Sequence, residues 1–173
     1  MALHDAPREA GRPKTIYFEI RVLRTGYSTS HSSAEVESGI ALGFIAPPYP
    51  SWRLPGWERA SLGVHGDDGR RYVDNNRGGQ DFSTSFKDGE VVGLGMTFHA
   101  PLDRSKRRNV DVFFTRQGQR VGGWDLHEER DAEDEGSVVG LEGDHDLFGA
   151  VGMFGHVDFE VRLSRDGWLC RPS

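Results

Sequence analysis

One cysteine, Cys170, leaves no partner for an internal disulfide, and no apolar run approaches the roughly 20 residues that span a bilayer. The chain therefore reads neither as a disulfide-stapled secreted scaffold nor as a protein inserted in a membrane. Residues 1–13 are polar and lack the apolar centre of a signal peptide, which predicts a reducing compartment, cytoplasm or nucleus. Basic excess is missing too: 21 Lys and Arg stand against 27 Asp and Glu, a net charge of −6, which argues against a nucleic-acid partner because phosphates must be neutralised. No segment carries a sustained helical period with caps; residues 125–135, DLHEERDAEDE, are charged on every face and read as a solvated loop or a short exposed helix. What is abundant is glycine, 23 residues in 173, which implies many tight turns.

What remains is a period of two. In TIYFEIRVL, residues 15–23, Ile16, Phe18, Ile20 and Val22 face one side and Tyr17, Glu19 and Arg21 the other, the pattern of a half-buried strand. The same alternation recurs at Ile40, Leu42 and Phe44, at Val92, Leu94 and Met96, at Val110, Val112 and Phe114, and at Val157, Phe159, Val161 and Leu163. Shorter strands are predicted at 60–65, 70–73, 119–121, 147–152 and 167–170. Closely spaced strands joined by glycine turns predict an all-β, antiparallel sandwich of two sheets with little helix. A flexible tail over 1–14, one domain over 15–172, a basic loop at 103–109 and an acidic loop at 126–146 complete the expected organisation.

Several motifs follow in fixed order: YFEI at 17–20, GIALGF at 39–44, LPGWERASLGVHGDDGRRYV at 54–73, FKDGEVVGLGM at 86–96, VFFTRQGQRVG at 112–122 and LFGAVGMFGHVDFEVRL at 147–163. This series resembles the SPRY domain, nearest to the branch of the RanBPM scaffold, the Gid-type ubiquitin ligase and the yeast vacuolar ubiquitin-ligase adaptors. The resemblance implies a bent β-sandwich without a catalytic centre, whose loops at one end bind a peptide or protein surface. Family members usually carry more strand-forming sequence before YFE, so one sheet edge is expected to be reduced. In the SOCS-box class of the family, the position of Trp57 is a peptide-contacting aromatic, and an aromatic-glycine pair matches Phe154-Gly155; the two loops are expected side by side.

The chemistry-bearing residues support binding rather than catalysis. His65, Gly66, Asp67, Asp68 and Gly69 form HGDDG, whose Asp and Gly suit a reversal between two short strands. A calcium loop needs further oxygen ligands where Arg70 and Arg71 stand. His127-Glu128-Glu129-Arg130-Asp131 begins like a zincin helix but has Asp131 where the second histidine belongs, so no metal site is expected. Gly93 and Gly95 lie in a strand with no helix after them, which removes a phosphate loop, and no cofactor is expected. Cys170 reads as an interior thiol of a terminal strand.

Residues 47–57, PPYPSWRLPGW, differ: four prolines stiffen a loop presenting two tryptophans, a tyrosine and an arginine. Stiff loops lose little entropy on binding, and these residue types dominate interface hot spots. The expected partner-binding residues are Tyr49, Trp52, Arg53, Trp57, Phe154 and Gly155, and the expected partner is a protein or peptide, with the isolated domain monomeric. A carbohydrate-binding lectin-like sandwich is the alternative, and a hydrolase pairing Asp67 or Asp68 with His65 is a further one. Neither accounts for the ordered motifs.

Overall fold

The computed structural model describes residues 12–26, 37–100, 108–129 and 136–172. Among the described residues nine strands follow one another: β1 (Lys14–Thr25), β2 (Gly39–Ile45), β3 (Ser61–His65), β4 (Arg71–Val73), β5 (Val91–Phe98), β6 (Val110–Arg116), β7 (Gln119–Asp125), β8 (Phe148–Phe154) and β9 (Val157–Arg162). They form two antiparallel sheets, β7-β6-β5-β1-β9 and β4-β3-β2-β8. Helix is confined to a single 3-10 turn, Arg165–Gly167, among the described residues. No helix there is long and apolar enough to cross a membrane.

The predicted alternation sets which side chains meet between the sheets. Phe18, Ile20 and Val22 of β1, Leu42 and Phe44 of β2, Leu94 and Met96 of β5, and Val112 and Phe114 of β6 are all buried in one core. Phe18 and Phe44 meet edge to face across it, centroids 5.5 Å apart. Leu126 and Leu141 also belong to this core. The acidic stretch is thus not solvated throughout, since Leu126 and Leu141 are buried while Val139 is 66% exposed. Residues 1–11, 103–107 and 130–135, which include most of the N-terminal tail, most of the basic loop and the centre of the acidic loop, lie outside the described residues.

Two expectations change. The segment 167–170 is not a strand, and β1 is not half-buried: Tyr17 and Glu19 on its outer side are as enclosed as the core. Both changes have one cause. The segment after the 3-10 turn crosses the outer face of the first sheet and hydrogen-bonds to Glu19 instead of to a neighbouring strand. Cys170 is consequently partly exposed rather than interior.

Strands β8 and β9 are consecutive in the chain yet end different sheets. Met153 of β8 and Val161 of β9 are therefore 54% and 45% exposed, although both carry the parity of core positions. This is the thin side of the sandwich.

Candidate partner-binding surface

The connection from β2 to β3 does not swing free; it folds back over the outer face of the second sheet. Gly43 and Gly63 face each other across β2 and β3, and a Cβ on either would strike Pro55 and a strand carbonyl. Their missing side chains make the shallow seat in which Pro55 rests. Gly152 of β8 extends it, with Leu54 and Pro55 each 2.7 Å from where its Cβ would be.

Hydrogen bonds then fix the loop. The Tyr49 hydroxyl donates to the Leu54 carbonyl at 2.6 Å and accepts from the Glu58 amide at 3.4 Å. Ser61 donates through Oγ to the Glu58 carbonyl and accepts from the Gly56 amide, at 2.6 and 2.8 Å. Arg53 Nε lies 3.0 Å from Glu58 Oε1, both side chains partly exposed. Burial raises the pKa of the Tyr49 hydroxyl above its ordinary value, so it stays a donor.

His65 is the floor of this arrangement. It is 2% exposed, its ring stacks on Tyr72 at 3.9 Å, and Trp57 lies against it at 5.7 Å. Nε2 is 2.9 Å from the Pro55 carbonyl. A carbonyl only accepts, so Nε2 carries the proton in this network. Burial lowers the imidazole pKa, outweighing the Pro55 carbonyl and the charges of Asp67 and Asp68.

The rest of HGDDG joins β3 to β4. The Gly69 amide donates to the His65 carbonyl at 2.9 Å, and Gly69 has φ +73°. Asp68 accepts from the Arg70 amide at 2.8 Å and from the Tyr72 hydroxyl at 2.7 Å. The Gly66 amide donates to the Ile40 carbonyl at 2.7 Å, and Asp67 is exposed. These groups are spent on bracing a hairpin, with His65 shut away from solvent. Among the described residues no three His, Cys, Asp or Glu side chains are placed to hold a metal ion.

Above this floor the exposure is uneven. Leu54, Pro55 and Gly56 are buried, Trp57 and Tyr49 half-buried, Arg53 exposed, and Trp52 is 81% exposed at the apex. Strand β8 runs beside the loop. Phe154, one pleat beyond Gly152, lays its ring over Gly39, 2.6 Å from where that residue's Cβ would be. Gly155, at φ +67°, turns the chain into β9, while the His156 amide reaches Ser38 Oγ at 3.1 Å. Loop and β8 thus touch through Leu54, Pro55 and Gly152, with Trp52 and Phe154 on the same outer side.

Two participants escaped the sequence. Glu58, the partner of Arg53, sits five positions on in an irregular loop where no periodicity links them. Tyr72, stacked on His65, sits at the outward position of β4 opposite Gly63, a pairing that only register reveals.

No family model matches the chain. It is 33% identical over 108 residues to a Ran-binding protein M homolog of Arabidopsis thaliana, covering 62% of this chain and 19% of the relative. It is 30% identical over 165 residues to SPRY domain-containing protein 3 of Homo sapiens, covering 94% of this chain and 31% of the relative. The chain thus spans less than a third of the length of either. A crystal structure of a human SPRY domain superposes with a TM-score of 0.56 at 20% identity, covering 94% of this chain and 89% of that one.

Proposed function

Because this chain is a SPRY domain, we propose that it is a non-catalytic interaction module that binds a short peptide or exposed loop of a partner protein through residues 47–57 and the adjoining end of β8. One observation carries the reading: Trp52 stands 81% exposed on a loop whose base is buried and hydrogen-bonded at nearly every turn. An exposed tryptophan on a mobile loop loses entropy when it binds; one on a braced loop has already been positioned.

In this reading Trp52 and Phe154 supply apolar contact, and Arg53 supplies a charge-assisted hydrogen bond to a carboxylate or carbonyl of the ligand. Glu58 holds Arg53 until then. An exposed ion pair is worth about 0–1 kcal/mol, so a ligand carboxylate can replace Glu58 at little cost. Tyr49 and Trp57 act from below by fixing the loop, and Gly155 sets the direction of the neighbouring turn. Likeness to the RanBPM branch supports a place as the substrate- or scaffold-binding part of a ubiquitin-ligase assembly, acting in the cytoplasm or nucleus.

Affinity capture with the wild-type chain and the double variant Trp52→Ala, Arg53→Ala tests it. The expected result is a set of proteins retained by the wild type and lost by an equally folded variant. Identical sets would move the binding surface elsewhere.

A further inference from the structure

The outer face of the first sheet, opposite the loop surface, holds a buried carboxylate whose ligand is the chain's own backbone. Glu19 is 0% exposed. It accepts from the Leu169 amide at 2.9 Å through both oxygens, from the Cys170 amide at 2.8 Å and from the Tyr17 hydroxyl at 2.8 Å. Arg162 Nη1 stands 3.9 Å away. Trp168 meets Tyr17 edge to face at 5.0 Å and donates Nε1–H to the Arg162 carbonyl at 2.8 Å. Tyr17 in turn stacks on Phe113 at 5.6 Å and bonds Thr115 at 2.7 Å. Beneath these rings lie Gly93 and Gly95, where any Cβ would collide with Tyr17 or Phe113.

Two features separate this segment from the rest of the fold. No residue of 163–172 belongs to the apolar core, and Leu163 and Leu169 are 48% and 53% exposed. Lifting it therefore costs little apolar burial, and the uncovered carboxylate regains water. The groove itself stays, because Tyr17, Glu19, Phe113 and Thr115 belong to central strands.

We infer that this face is a second peptide-binding groove, filled in cis by residues 168–170, which exchanges that segment for an external extended peptide carrying an aromatic residue followed by two free amides. The occupant follows from the contacts already made. Backbone amides satisfy Glu19 whatever their side chains, provided neither residue is proline; the aromatic ring over Tyr17 supplies the selectivity. This inference does not rest on the loop surface.

The test uses the full chain and a fluorescent peptide of residues 163–173. Hydrogen exchange should find the amides of Leu169 and Cys170 opening far more often than that of Leu94 in the core. The peptide should bind the Trp168→Ala chain at least tenfold more tightly than the wild-type chain, where the cis segment competes. A second substitution, Glu19→Gln, should reverse that gain, and a Trp168→Ala peptide should bind at least tenfold more weakly. Exchange at Leu169 and Cys170 as slow as at Leu94 would overturn the inference. So would a Trp168→Ala chain that unfolds, or one that is folded and takes up no peptide.

Discussion

His65 holds up the loop proposed to bind a partner while itself shut away from solvent. Its burial favours the neutral ring, so the folded state resists a proton that the unfolded state accepts near pH 6.5. Its pKa is lowered on folding; stability is therefore complete above the unfolded value and falls as pH drops through it. The slope from this one group is at most about 1.4 kcal/mol per pH unit. Thermal unfolding from pH 7.5 to 5 should show this decline in the wild type, and His65→Gln should flatten it. Equal slopes would mean that His65 takes up its proton as readily in the folded state as in the unfolded one. Beside it, Trp57 and Arg53 separate folding from binding. Trp57→Ala removes a half-buried ring packed on His65 and should cost about 2–3 kcal/mol, weakening binding through loss of loop order. Arg53→Ala should stay within about 0.5 kcal/mol of wild-type stability while weakening the partner by roughly 1–2 kcal/mol. Urea denaturation and titration calorimetry on the same samples measure both.

Among the elements, most of the nine strands in the described residues are legible because sidedness is written in the period of two. Leu42, Leu94 and Phe114 declare the core face in the sequence itself. The same rule failed at Glu19, where a polar residue at an outward position reads as solvent-facing. What covers it is a segment 150 positions away, and the attraction is between a carboxylate and backbone amides, which leave no mark in side-chain pattern. Residues 167–170 carry the pattern of a strand without forming one: the Gly167 and Trp168 amides bond the Ser164 and Arg165 carbonyls of the 3-10 turn and the Leu169 and Cys170 amides bond the Glu19 carboxylate, so none joins a ladder. The loop 47–57 was conspicuous by composition, but its seat was not. Gly43 and Gly63 mean a close approach only once register sets them opposite each other. Gly63→Ala should therefore destabilise by about 1–3 kcal/mol, since its Cβ would strike the Pro55 carbonyl. Full stability of that variant, read from its urea midpoint, would mean that the loop is not held down.

The whole molecule places the two proposed surfaces on opposite outer faces of one core. Its predicted spectrum is that of a β-protein: far-UV circular dichroism should register well under a quarter helix, below the average for mixed globular proteins, and a larger helical signal would contradict the sandwich. A braced loop presenting Trp52 and Arg53 is the proposed seat of the partner. The most direct measurement is the affinity of the captured partner for wild-type chain and for Trp52→Ala, Arg53→Ala, with both melting temperatures taken alongside. Melting within about 2–3 °C and affinity lower by at least tenfold are expected. Unchanged affinity in a folded double variant would contradict it.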